Sequence, residues 1–138
     1  MGVPHQAPRY ISEGGEYFYE CLSRGELHLP TCGACGARIW YPKPVAPCHP
    51  GAEVEWRRAS DFGRVYSFTT VYHSFLPDGD PSDLPYTVML VEPEDAPGVR
   101  IPSLFVDADG GEPQIGIRVR LQPVRADGYY VAAYAPAV

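Results

Sequence analysis

No apolar run in this 138-residue sequence approaches the roughly twenty residues needed to cross a bilayer, so no membrane span is expected. Residues 1–12 are polar and have no apolar middle, unlike a secretory signal. Positive charge is scarce: the formal net charge is −6 and the pI about 5.1. Nucleic-acid affinity rests mainly on attraction to phosphates, so a nucleic-acid ligand is not expected. There is no glycine-rich phosphate loop and no hydratase or hydrolase signature. Sixteen prolines and fourteen glycines break the chain too often for a helix bundle. The expected location is the cytoplasm, where a Cys-x-x-Cys serves metal or redox chemistry more often than a structural disulfide.

What the sequence does contain is organised around Cys32-Gly33-Ala34-Cys35-Gly36, followed by Cys48. Cys-x-x-Cys followed by glycine is a knuckle whose tight turn aims two thiolates at one ion. Twelve residues, Gly36 to Pro47, then separate it from Cys48, the length of a short ribbon that returns to the same place. A four-cysteine site would have its last thiolate at position 51, and that residue is Gly51. Zinc held by Cys32, Cys35 and Cys48 therefore needs another fourth ligand. His49 is carried forward for that role, although neighbouring ligands are awkward for a tetrahedral ion. Cys21 and His28 lie upstream and would need the preceding helix to fold over the ribbon. The alternative is a drifted ribbon of reduced thiols. An iron electron carrier of the rubredoxin kind would require four thiolates.

The rest of the chain reads in order. Phe18, Cys21 and Leu22 repeat at i, i+3 and i+4, and Gly25 is a stop, which predicts a short amphipathic helix over residues 13–24. Such a helix is too short to stand alone, so its apolar face packs on its own domain or on a partner. Tyr10, Tyr17, Phe18 and Tyr19 make the segment aromatic, as interfaces are. Leu27 and Leu29 lead into the knuckle as a strand; Ile39, Trp40 and Tyr41 are expected to lead out of it as the second strand. From there strands dominate: 63–75, 86–92, 99–106, 115–124 and 129–134. In the fourth, Ile117, Val119 and Leu121 alternate with Arg118, Arg120 and Gln122. Five strands in about eighty residues predict a small closed barrel, of which the five-stranded OB fold is the simplest. The expected divisions are an arm and helix (1–26), a ribbon module (27–56) and a barrel (57–138).

Catalysis finds little support. Cys48 with His49, or Ser67 with His73, can be drawn as nucleophile and base, but neither has a surrounding motif. Asp78, Asp80 and Asp83 have calcium-like spacing, yet the twelfth position of such a loop is Met89, and the stretch reads as a solvated turn. Arg57, Arg58, Arg64, Arg118, Arg120 and Arg125 are suited to phosphates or to a partner's carboxylates, or form a solvated sheet face.

The order of Phe18 to Leu29, the knuckle, Pro42, Cys48, Trp56, Gly63-Arg64-Val65-Tyr66-Ser67-Phe68-Thr69, Pro85-Tyr86 and Ile115-Gly116-Ile117-Arg118-Val119 resembles a known family. These are paired zinc-ribbon and OB-fold proteins, catalogued as a domain of unknown function and found beside thiolases, sterol-carrier thiolases and hydroxymethylglutaryl-CoA synthases. The resemblance runs from about residue 15 to residue 136. It implies a mainly β protein: an N-terminal helix, a rubredoxin-like zinc ribbon, then an OB barrel. It also implies a non-catalytic accessory subunit of a thiolase-like or sterol-carrier-thiolase-like enzyme, in lipid metabolism such as steroid side-chain degradation, acetyl transfer or ketide condensation. Acyl-CoA binding is suggested for the family, with no residue assigned. The residues expected to meet the partner are Tyr17, Phe18, Leu22, Trp40 and Tyr41. Gly51 departs from the family pattern, which bears on the metal and not on the fold. The rival readings are a single-stranded nucleic-acid binder and a small acyl-CoA hydratase or thioesterase.

Overall fold

The computed structural model describes Pro8, Ile11, residues 14–74 and residues 81–137. The N-terminal arm, apart from Pro8 and Ile11, and the loop residues Asp78 and Asp80 lie outside the described residues.

Helix α1 spans Glu16–Ser23, shorter than expected. It buries Phe18, Cys21 and Leu22, the stripe visible in the sequence. It ends where Gly25 takes a φ of +75° and donates its N–H to the Leu22 carbonyl. Burying a large apolar side chain stabilises by about 1.5–3 kcal/mol, so this face holds the helix on the protein where its own propensity does not.

Strand β1 (His28–Cys32) pairs antiparallel with β2 (Val54–Arg58), from His28 opposite Arg58 to Cys32 opposite Val54. This corrects the expected ribbon. Ile39 to Tyr41 form no strand; that side of β1 has one isolated bridge, Thr31 to Arg38. Prolines at 42, 44 and 47 remove the amide donors a ladder would need, so the chain loops before returning as β2.

The remaining long strands are β3 (Phe62–Val71), β4 (Tyr86–Pro93), β5 (Ile101–Phe105), β6 (Arg118–Leu121) and β9 (Ala133–Pro136). They close a barrel in the order β3-β4-β5-β9-β6, with β6 returning to β3. One parallel pairing, β5 with β9, completes the OB connectivity. Gly63 is required where β3 meets β4: a Cβ there would lie 2.7 Å from Val91 Cγ1 and 2.8 Å from the Glu92 carbonyl oxygen. Two expected strands are split. The fourth stops at Leu121, and past Pro123 a short hairpin forms from β7 (Val124–Ala126) and β8 (Tyr129–Val131). The chain re-enters the barrel only at Ala133.

The interior is one continuous apolar cluster. Phe18, Leu22, Leu27 and Leu29 from the helix and ribbon base join Val65, Met89, Val91, Ile101, Phe105, Val119, Leu121 and Tyr134 of the barrel. A second, small cluster of Cys32, Ile39 and Ala46 lies under the knuckle. No described helix is long and apolar enough to cross a membrane.

Candidate metal centre

Cys32 ends β1, and the chain turns sharply after it. The Cys32 N–H donates to the Ala37 carbonyl at 2.8 Å and the Gly36 N–H donates to the Cys32 carbonyl at 2.8 Å. Gly36 closes this turn with a φ of +77°, which explains the glycine after the second cysteine. The Gly33 N–H reaches the Glu53 carbonyl at 2.8 Å, tying the knuckle to the start of β2. Cys32 is buried; Cys35, Cys48 and His49 are exposed.

The side-chain donors of these four residues all lie within 4.8 Å of one another. Cys32 Sγ is 3.6 Å from His49 Nδ1, and Cys35 Sγ is 3.6 Å from Cys48 Sγ. Tetrahedral zinc with its usual bond lengths places sulfur and nitrogen about 3.6 Å apart and two sulfurs about 3.8 Å apart. The donor set fits that ion. Backbone N–H groups of Cys35 and then Ala34 face the Cys32 sulfur and bring its thiol down to about 6. The Cys48 thiol is pushed up to about 11, first by its hydrogen bond with Cys35, then by burial and by Cys32. Thiolates this close raise one another unless a cation neutralises them.

The structure discriminates among the three candidates for the fourth position. Cys21 is fully buried on α1, with an Arg24 guanidinium nitrogen 3.4 Å from its sulfur. His28 Nε2 sits 2.8 Å from a Glu26 carboxylate oxygen. His49 alone of the three joins the cluster. Its adjacency to Cys48 is no obstacle, because Cys48 Sγ lies against Cys35 while His49 Nδ1 lies against Cys32.

Of the aromatic and apolar residues expected at an interface, Phe18 and Leu22 are buried within this chain, at 5% and 1% exposure. Tyr17 and Tyr41 are exposed and Trp40 is half-buried. Tyr17 packs edge-on against Trp56 at 5.2 Å, and Trp40 links Phe18 to Tyr41 through ring contacts of 5.3 Å each. Beside the cysteines, a cleft of about 200 Å³ is lined by Ala37, Arg38, Ile39, Trp40, Lys43, Pro47 and Cys48. Arg38 is a residue that sequence reasoning missed. It donates to the Thr31 hydroxyl (3.3 Å), the carbonyls of Arg57 (3.1 Å) and Arg58 (3.0 Å), and Asp95 (3.4 Å). No motif announces it, since its partners come from three separate stretches.

The nucleophile pairs do not assemble as drawn. Ser67 lies on β3 and His73 is exposed beyond its end, six residues or about 20 Å along an extended chain. Cys48 and His49 belong to the metal cluster. Asp83 is buried in a 3-10 turn over Pro81–Asp83.

Residues 56–123 match the family described as the ChsH2 C-terminal OB-fold domain. Among solved structures, the chain is similar to one described as the Ltp2–ChsH2 (DUF35) aldolase, with 26% identity and a TM-score of 0.80 over 96% of this chain and 100% of that one. A DUF35 protein of unknown function from Sulfolobus solfataricus shares the fold at 15% identity and a TM-score of 0.63, over 94% of this chain and 89% of that one. No curated protein matches the sequence. Residues 56–123 thus belong to the ChsH2 C-terminal OB-fold domain family, and the chain as a whole, with its helix, cysteine cluster and closed OB barrel, is similar to DUF35 structures over nearly its full length.

Proposed function

We propose that this chain is a non-catalytic accessory subunit of a thiolase-like acyl-CoA enzyme. The observation that carries the reading is the similarity, over 96% of this chain and 100% of the other, to a structure described as the Ltp2–ChsH2 (DUF35) aldolase. In this reading residues 1–26 and 27–56 dock on the partner and residues 57–138 flank its acyl-CoA channel. Tyr17, Trp40 and Tyr41 supply the contact surface, while Phe18 and Leu22 hold the helix beneath it. The setting is cytoplasmic.

Zinc, held by Cys32, Cys35, Cys48 and His49, would have four protein ligands and no open position. Such a site staples a small fold together and does not activate water. The two-stranded ribbon buries only Cys32, Ile39 and Ala46 in its own cluster, too little apolar area to hold its shape unaided. Cys32, Cys35, Cys48 and His49, when holding zinc, would fix the ribbon next to Trp40 and Tyr41.

The test is co-expression with a thiolase-like protein from the same genome. Co-elution of the two, and acyl-CoA cleavage or condensation by the pair but not by this chain, supports the reading. Separate elution together with acyl-CoA turnover by the isolated chain overturns it in favour of a small hydratase or thioesterase.

A further inference from the structure

One outer face of the barrel gathers guanidinium groups that few carboxylates neutralise. On β3, Arg64 and Tyr66 point outward while Gly63 and Val65 point inward. On β6, Arg118 and Arg120 alternate with buried Val119 and Leu121. The register sets Arg64 opposite Arg118 and Phe62 opposite Arg120. Like charges directly opposite destabilise a sheet, and only Arg118 of this pair is within ion-pair distance of a carboxylate. Arg118 donates to both oxygens of Glu94, at 2.6 and 3.2 Å. Arg64 donates instead to the Gly116 carbonyl at 3.2 Å. Glu92, across from Arg64 on β4, accepts from the Gly98 N–H at 2.9 Å.

The other arginines are held by rings. Arg100 lies 3.7 Å over the centre of Tyr66; Arg118 and Arg120 lie 3.9 and 5.8 Å from the centre of Phe62. Among the described residues, Arg64, Arg100 and Arg120 make no ion pair. Stacking and a carbonyl orient their planar forks without quenching their charge. Two apolar groups stand beside them. Tyr66 sits at the β3 bulge and is 48% exposed; Ile115 is 65% exposed, next to Gly116, whose N–H bonds the Val65 carbonyl.

We propose that this face of β3 and β6 docks an acidic segment of a protein partner. Arg64, Arg100 and Arg120 take its carboxylates, and Tyr66 and Ile115 take its apolar side chains. Arginine with exposed tyrosine is the composition of protein interfaces. A nucleic-acid strand fits less well. The chain's net charge of −6 repels a long polyanion, and arginines already cover one side of Tyr66 and Phe62, the rings on which bases would stack. A short acidic segment senses only charges within a screening length of about 8 Å. The face uses no ribbon residue, so it does not depend on what the ribbon docks against.

The experiment titrates the full chain with a fluorescein-labelled acidic peptide of alternating aspartate and tyrosine, with labelled oligothymidine of equal charge, and with inorganic pyrophosphate. Amide chemical shifts report the site. Saturable peptide binding that weakens with salt and shifts amides of β3 and β6 is expected. Arg64→Gln, Arg100→Gln and Arg120→Gln should each weaken it about twofold and together about tenfold, as exposed ion pairs do. The triple lysine variant keeps the charge and should recover only part of the affinity; its amide spectrum also checks that the barrel is intact. Absence of saturable binding, shifts elsewhere, or a triple glutamine variant that binds like the parent overturns the proposal. Tighter binding of oligothymidine makes the face a nucleic-acid surface, and tighter binding of pyrophosphate makes it a phosphate site; either also overturns it.

Discussion

Arg38 and Asp95 meet across a sequence separation of 57 residues, with Arg38 a guanidinium nitrogen 3.4 Å from an Asp95 carboxylate oxygen. The same guanidinium group caps the carbonyls of Arg57 and Arg58 at the end of β2, and the other Asp95 oxygen accepts the Ser60 N–H at 2.9 Å. Arg38 stands three residues past Cys35, so this bracket joins the metal knuckle to the link between ribbon and barrel.

Arg38→Ala should therefore cost about 2–3 kcal/mol, since several charge-assisted bonds are lost and carbonyls are left unpaired. Urea unfolding measures this. Arg38→Lys should recover less than half, because one ammonium group cannot span both carbonyls and Asp95. A loss under about 0.5 kcal/mol, the usual range for an ordinary surface substitution, would show that the bracket is incidental.

Metal analysis of the purified chain should find about one zinc per chain, as a single four-ligand site requires. Chelation should lower the thermal midpoint, and Cys35→Ser, Cys48→Ser or His49→Ala should each remove most of the metal. Gly51 has no atom within 4 Å of where a Cβ would lie. Gly51→Cys placed in the His49→Ala background should restore zinc by returning the missing thiolate. If His49→Ala keeps its zinc unchanged, His49 is not a ligand.

Glu94 should titrate below the ordinary carboxylate range. The Arg118 hydrogen bond is the first cause, and the charges of Arg118 and Arg64 act in the same direction. A folded-state value that is depressed contributes stability present above the ordinary, unfolded value and lost as pH falls through the folded one. NMR titration of the Glu94 carboxyl should show the lowered midpoint, and Arg118→Gln should return it toward the ordinary value. An unshifted midpoint in the parent chain would remove the ion pair from solution.

The Tyr134 hydroxyl is buried with no hydrogen-bond partner among the described residues. Burial, with Asp61 and Asp95 nearby, raises its ionisation above the usual tyrosine range. Tyr134→Phe should leave the barrel equally stable or up to about 1 kcal/mol more stable, because an unpaired buried polar group is costly. A loss of more than about 1 kcal/mol in urea unfolding would mean that a water molecule satisfies the hydroxyl.

Much of this architecture was legible. The knuckle spacing located the ligand cluster, and the alternation of Ile117, Val119 and Leu121 located a barrel strand. Local patterns could not show where a strand finds its partner. Ile39, Trp40 and Tyr41 look like a strand because they are large and apolar, yet β1 pairs with residues 54–58. The run 129–134 looks continuous because both halves are apolar, although it leaves a hairpin and enters the barrel at Ala133. His49 was legible as a residue type, but its place depended on the direction in which a turn aims its ring. Arg38 was invisible because its partners are tertiary.

The ring of strands from β3 round to β6 and back has a consequence for any association. Among the described residues each of the five strands has a neighbour on both sides, but β3 meets β6 over Phe62 to Arg64 only and from Ser67 to Val71 pairs with β4 alone. Whatever settles where β3 runs beside β6 must be recognised by side chains, which makes its selectivity open to change one residue at a time.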